Sequence, residues 1–148
     1  MEDILNYENR DQLYKFLIDD FGLIKIEEKY DAKVFGNFFI TLSAKEFSLR
    51  YINNRSYLTI EIASLSDPSK WYDLLFIRNF IYHPDNINSD DRSIDNNTRI
   101  EELNSFLRKD FDLISDLFND DNYADTQQKI NESLKEQFKK RFPGMLNE

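Results

Sequence analysis

The chain has 148 residues, of which 41% are hydrophobic and 15% aromatic, with no cysteine and a net charge of −9. This length and composition predict a single globular domain, and the lack of cysteine excludes a disulfide framework and a thiolate zinc site. The acidic balance argues against a nucleic-acid partner bound by phosphate neutralisation, because such binding needs clustered Lys and Arg.

The sequence contains no obvious targeting or membrane segment. No apolar run approaches the roughly 18 residues of a membrane span, and the opening MEDILNYENR lacks the basic start and apolar core of a secretory signal. We therefore expect a soluble cytoplasmic protein that does not bind a membrane.

The first predicted element is a helix with one apolar stripe. Asn9 and Gln12 stand at capping-box spacing, and Gly22 stands where a helix-ending glycine belongs. Between them, apolar residues recur at helical intervals at Leu13, Phe16, Leu17 and Phe21.

Four strands are predicted next, at residues 23–30, 37–43, 47–53 and 56–64, where the apolar period changes to two. Their short connections make antiparallel neighbours, since a parallel pair needs a long crossover. The alternation places Phe38, Leu49 and Ile60 on one apolar face, and Arg50 and Tyr57 on the mixed opposite face.

The register of the second hairpin stays open in the sequence. A loop at Asn53-Asn54 pairs Leu49 with Leu58, whereas a loop at Asn54-Arg55 pairs Leu49 with Ile60. Both choices keep the apolar face intact, so the hydrophobic pattern does not distinguish them.

Three further helices are predicted from their start signals. Asp67-Pro68 opens a helix that Pro84 prevents from extending, Thr98 and Glu101 form the capping box of the next, and Asp125 with Gln128 caps the last. The predicted fold class is α+β: an N-terminal helix, a four-stranded antiparallel meander, and three helices packing on the apolar sheet face.

The stretch HPDNINSDDRSIDNN, residues 83–97, resembles a cation-binding loop in composition. An EF-hand loop starting at Asn86 would have Asp91 in place of the required glycine and Asn97 in place of the bidentate glutamate. A start at Asp85 puts Ile87 at a ligand position. We therefore predict no calcium site and no other cofactor, and interpret the stretch as a solvated connection.

Two catalytic patterns are weak. His83 is the only histidine, and no G-x-S-x-G motif or cysteine accompanies it. Glu27-Glu28-Lys29 matches half of a metal-dependent nuclease motif, in which carboxylates hold Mg²⁺ and the lysine helps activate water. A solvent-facing charged strand explains the same three residues.

Negative charge is concentrated in residues 85–125, which hold 4 basic and 12 acidic residues. Asp112, Asp116 and Asp120 recur every four residues, so a continuous helix would place them on one face, where like charges repel. This pattern favours either a solubilising helix face or a surface for a basic partner.

Residues 35–77, FGNFFITLSAKEFSLRYINNRSYLTIEIASLSDPSKWYDLLFI, resemble small acidic immunity proteins encoded beside bacterial polymorphic or contact-dependent growth-inhibition toxins. The resemblance implies a non-enzymatic protein that binds and neutralises one cognate toxin, often a basic nuclease. The alternatives are a small metal-dependent hydrolase using the Glu27 to Lys29 motif and an acidic nucleic-acid mimic. The predicted partner-binding residues are Arg50, Tyr57, Asp90, Asp91, Asp95, Asp112, Asp116 and Asp120; the sequence leaves the oligomeric state open.

Overall fold

The computed structural model describes residues 9–33, 36–84 and 94–141. The strands of these ranges are β1 (Ile24–Asp31), β2 (Asn37–Ser43), β3 (Phe47–Asn54), β4 (Tyr57–Ser64) and β5 (Tyr72–Asp73). The helices are α1 (Asp11–Phe21), α2 (Leu74–Tyr82), α3 (Asn96–Phe118) and α4 (Tyr123–Arg141). The α+β class is confirmed, but the sheet has five strands rather than four, so the order is one helix, five strands and three helices.

The five strands form one antiparallel sheet in the order β1-β2-β3-β4-β5. Phe38, Leu49 and Ile60 are buried on one face, as the alternation predicts, and they belong to the core shared with the helices. Asn104 of α3 connects three elements, because its side chain accepts from the Tyr51 hydroxyl at 2.7 Å and donates to the Leu13 carbonyl at 3.0 Å. The helical layer is therefore fixed to the sheet by polar bonds as well as apolar packing.

The hairpin between β3 and β4 adopts neither register considered from the sequence. Leu49 lies opposite Ile62, and the two turn residues are Arg55 and Ser56, both with positive φ (52° and 67°). The prediction failed because asparagine tolerates this left-handed conformation better than arginine or serine, which favours Asn53 and Asn54 as turn residues. The apolar face survives because the observed pairing differs from each predicted one by an even number of residues.

Asp67-Pro68 does not begin the second helix. Residues 64–70 form turns, and Tyr72 and Asp73 then add the short strand β5, which pairs with Ile62 and Glu61 of β4. Helix α2 starts only at Leu74, where the Asp73 carboxylate accepts from the Leu75 N–H at 2.9 Å. Asp67 and Asp73 could each cap a helix here. Because Tyr72 and Asp73 pair with the edge of the sheet, the helix begins after Asp73.

The remaining helix ends also differ from the predicted caps. Arg10 occupies the N-cap of α1 but its side chain makes no capping hydrogen bond, whereas Gly22 ends the helix with φ 74° as expected. Asp95, not Thr98, caps α3 by accepting from the Thr98 N–H at 2.8 Å. Helix α4 begins at Tyr123, so Asp125 lies in its first turn.

None of the helices in residues 9–33, 36–84 and 94–141 is both long and apolar enough to cross a membrane.

Candidate functional site

An apolar groove lies between α2, α3 and α4, and we call it the helical groove. Its floor comes from Phe80 and Ile81 of α2 together with Leu113 and Leu117 of α3. One side of α4 lines its wall, since residues spaced three or four apart share a helical face. These α4 residues are Lys129, Glu132, Ser133 and Glu136.

The buried side chains of the described part of α4 lie in the first half of the helix: Tyr123, Thr126 and Ile130. The Thr126 hydroxyl donates to the Leu117 carbonyl at 2.7 Å, and the Tyr123 ring lies 5.6 Å from the Phe118 ring. Ile130 is the last buried residue in the described part of α4. Further along, Leu134 and Phe138 are each 39% exposed.

Carboxylates dominate the rim of the helical groove. Lys129 is paired with Asp125 at 3.0 Å, which neutralises the one lysine of the wall. Within the described ranges, the Glu136 side chain has no hydrogen bond or ion pair, and neither does the exposed Asp116 of α3. Leu113 is 42% exposed and lies one turn before Asp116 on the same helix. The groove thus combines exposed apolar surface with unpaired negative charge.

The predicted row of three aspartates is interrupted. Asp112 and Asp116 lie one turn apart on the exposed side of α3. The prediction is wrong for Asp120, because α3 ends at Phe118 and Asn119 adopts an extended backbone with ψ 166°. Asp120 therefore lies in the turn before α4, where its carboxylate accepts from the Ser66 hydroxyl.

Three further predicted residues lie in or beside the connection before α3. Asp95 is the N-cap of α3, and its carboxylate accepts a hydrogen bond from the Thr98 N–H. This hydrogen bond lowers the pKa of the Asp95 carboxyl below its usual value. Asp90 and Asp91 lie outside the described residues, so their predicted role in partner binding stays a prediction.

Arg50 lies on the sheet face opposite the core, which we call the outer sheet face. Its guanidinium lies 4.0 Å from the Trp71 ring centroid and 5.2 Å from that of Phe39, and its Nε donates to the Thr41 hydroxyl at 3.4 Å. The α3 aspartates lie in the helical layer, on the other side of the sheet. The structure therefore does not bring Arg50 into one site with Asp112 and Asp116.

Glu61 lies directly opposite Arg50 on the neighbouring strand. Partial burial raises the pKa of its carboxyl above the usual value; the Arg50 charge opposes this shift and the Asp73 charge adds to it. Arg50 and Glu61 thus form a charge pair within the outer sheet face.

Tyr57 has a structural contact rather than a position beside Arg50. Its ring lies 4.2 Å from the guanidinium of Arg99, a residue of the first turns of α3 that is only 3% exposed. The ring thereby covers a buried charge where β4 meets α3.

The two catalytic patterns remain incomplete. Glu27 pairs with Thr41 on the outer sheet face, whereas Glu28 pairs with Ile40 on the core face and binds Arg10 at 2.8 Å. The two carboxylates therefore point away from each other. Among the residues that the structure describes, no three His, Cys, Asp or Glu side chains lie close enough to hold a metal ion.

His83 follows the end of α2, beside a cleft between α2 and α3. The cleft is crossed by the Arg78–Glu102 ion pair at 3.4 Å and by a hydrogen bond from the Tyr82 hydroxyl to Asp110. Within the described part of the chain, the His83 side chain makes no hydrogen bond with Ser105, the hydroxyl residue that lines the same cleft.

The helical groove is not among the sites predicted from the sequence. One signal was present, because Leu113 and Leu117 lie off the apolar stripe that runs from Ile100 to Phe118. Apolar residues beyond the stripe that faces the core indicate a second contact surface.

Comparison with protein-family models, with curated proteins and with solved structures finds no match for this chain.

Proposed function

We propose that this chain is a protein-binding module that neutralises a basic bacterial toxin, as an immunity protein does, by binding it at the helical groove. The observation that carries the proposal is the combination of an exposed apolar floor with carboxylates that have no ion pair among the described residues: Glu136 on the groove wall and Asp116, which precedes the floor residue Leu117 on α3. A helix face that only keeps the protein soluble would carry these charges, but it would not need the exposed Leu113 beside them.

The groove has the properties of a site for an amphipathic basic segment. Such a segment buries its apolar side on Leu113 and Leu117, while its Lys and Arg side chains meet the rim. Burial of apolar surface supplies most of the affinity in this arrangement, because exposed ion pairs contribute little. The negative charge instead steers the partner and raises the association rate by roughly 10 to 10³.

The class of partner comes from the resemblance of residues 35–77 to immunity proteins. Neutralisation by such a protein is occupancy of the toxin's active site or substrate groove, so the mechanism needs no cofactor. A net charge of −9 suits a partner that binds nucleic acid. The basic surface with which such a partner binds phosphates can also bind this acidic chain.

The two alternatives have less support in the geometry. A hydrolase built on Glu27, Glu28 and Lys29 needs both carboxylates on one metal, yet they lie on opposite faces of the sheet. A nucleic-acid mimic needs a long row of carboxylates at phosphate-like spacing, and the row on α3 stops after Asp112 and Asp116.

The test is protection against a toxin domain encoded beside this gene, which the proposal requires. The domain is expressed in a sensitive host with the wild-type chain, with Leu113→Arg or with Leu65→Arg. The control is matched, because Leu65 is 43% exposed in the loop before β5 and Leu113 is 42% exposed in the groove.

We expect protection and a stable complex with wild type and with Leu65→Arg, and loss of both with Leu113→Arg. A host killed despite the wild-type chain contradicts the immunity function itself. Full protection by Leu113→Arg contradicts only the placement of the toxin in the helical groove.

A further inference from the structure

Strand β1 forms one edge of the sheet and pairs with β2 alone among the described strands. It is eight residues long, and seven of the eight are exposed. Three of these are large apolar residues: Ile24 is 68% exposed, Ile26 59% and Tyr30 46%. A long edge with exposed apolar side chains is a template for pairing with another strand.

The sequence of this edge is complementary to itself when read antiparallel. If Glu28 lies opposite Glu28 of a second copy, Glu27 of each chain lies opposite Lys29 of the other, and Ile26 lies opposite Tyr30. Moving the centre to Glu27 instead places Glu27 against itself, and moving it to Lys29 places Lys29 against itself. Among these three registers, only the Glu28-centred one gives opposite-charge and apolar cross-strand pairs on both sides of the axis.

We infer that β1 pairs antiparallel with β1 of a second copy of this chain, joining two five-stranded sheets edge to edge around a two-fold axis at Glu28. A two-fold interface uses the same patch on both chains, which is what a self-complementary strand provides. The like charges on the axis are compensated within each chain, since Glu28 binds Arg10 at 2.8 Å and Lys25 at 3.3 Å.

The local geometry of β1 limits the contact to a short stretch. The pairing with β2 shifts between Lys25 and Glu27, so Ile26 lies in a bulge, and Glu27 to Asp31 continue in regular register. The Glu27–Lys29 pairs therefore lie in regular strand, whereas the Ile26–Tyr30 pairs lie at the two ends of the contact. Bulges and charged side chains also protect edges from unwanted pairing. A contact of about five residues on each chain predicts a weak dimer, with a dissociation constant on the order of 10 to 100 μM.

Analytical ultracentrifugation of the whole chain, from about 5 μM to about 1 mM, tests this inference. We expect a reversible monomer–dimer equilibrium for wild type. Glu27→Lys places lysine against lysine at two symmetric positions and weakens the dimer about tenfold or more, as does Lys29→Glu. Carrying both substitutions restores opposite charges and returns the dissociation constant to within about threefold of wild type.

The control is Lys45→Glu, a charge reversal at an exposed residue of the turn between β2 and β3, which leaves the equilibrium unchanged. A wild-type chain that stays monomeric throughout the concentration range overturns the inference. A dimer that the double swap fails to restore also overturns it, because that dimer does not use the Glu28-centred register. Neither result depends on whether the chain neutralises a toxin.

Discussion

Arg99 holds a positive charge at a position that is only 3% exposed. Its Nη1 donates to the Leu58 carbonyl at 3.0 Å and to the Asn96 side chain at 2.7 Å, and its Nη2 donates to the Ile94 carbonyl at 2.6 Å. The guanidinium therefore fastens the start of α3 to β4. Together with Asn96 and Asn104, Arg99 is one of the residues whose side chains bind α3 to the sheet.

The first prediction is that Arg99→Met lowers the free energy of unfolding by about 3 kcal/mol, because the Leu58 and Ile94 carbonyls lose charge-assisted hydrogen bonds and the Leu58 bond is buried. Urea denaturation of both chains measures the difference. Arg108→Met is the control: Arg108 pairs with Asp20 at 3.6 Å, both side chains are more than half exposed, and we expect a loss below about 1 kcal/mol. Equal losses for the two variants contradict the structural role of Arg99.

The second prediction concerns the α3 cap. The hydrogen bond from the Thr98 N–H holds the pKa of the Asp95 carboxyl below its usual value of 3.8. A carboxyl whose pKa is lower in the folded state contributes stability that is present above the unfolded-state pKa and is lost as the pH falls through the folded-state pKa. Asp95→Ala should therefore lower the urea midpoint near neutral pH.

The difference between wild type and Asp95→Ala should shrink as the pH is lowered below about 4, because protonation weakens the wild-type cap. Urea midpoints measured from about pH 7 to about pH 2 follow this change. Asp112→Ala, which removes an exposed carboxylate without a hydrogen bond among the described residues, should leave the midpoint near neutral pH almost unchanged. A difference for Asp95→Ala that stays constant across the range would refute the role of the ionised cap.

At the scale of elements, the sequence identified the buried sheet face more reliably than the ends of its elements. Phe38, Leu49 and Ile60 are buried as predicted, since a period of two leaves one choice of apolar face. Helix ends were less reliable because several residues competed for each cap. Asp73 rather than Asp67 caps α2 because Tyr72 and Asp73 pair with β4 as strand β5. Such pairing between distant segments cannot be predicted from the residues of one segment.

The β3–β4 turn gives the third prediction. Ser56 has φ 67°, a conformation that costs an L-residue free energy and costs glycine almost nothing. Ser56→Gly should raise the free energy of unfolding by about 0.5 to 1 kcal/mol, measured by urea denaturation. The same change at Ser105, on the exposed side of α3, should lower it by about 0.5 kcal/mol. If both changes destabilise the protein, the turn does not hold Ser56 in this conformation.

On the scale of the whole molecule, Arg50 and the predicted α3 aspartates lie in two different layers. Arg50 lies on the outer sheet face, whereas Asp112 and Asp116 lie on the helical layer beyond the core. Residue spacing indicated the acidic pair because both aspartates belong to one helix. It could not show the helical groove, because residues of α2, α3 and α4 meet there only after the chain has folded.

The last prediction tests whether the negative charge of the helical layer steers a partner. Asp112→Asn combined with Asp116→Asn should change the free energy of unfolding by less than about 0.5 kcal/mol, because both side chains are exposed and their mutual repulsion is removed. Association with the cognate toxin domain should slow about twofold to tenfold at low salt. Near 1 M salt the difference should disappear, since the screening length falls to about 3 Å.

Stopped-flow association at low and high salt, with wild type and the double variant, measures this effect. The control removes two charges elsewhere: Asp19→Asn at the end of α1 and Glu46→Gln in the turn between β2 and β3. If the control variant associates just as slowly, the net charge rather than the α3 surface steers the partner. Unchanged kinetics for the α3 variant leave Asp112 and Asp116 as a solubilising face, and the apolar floor around Leu113 must then carry recognition without electrostatic help.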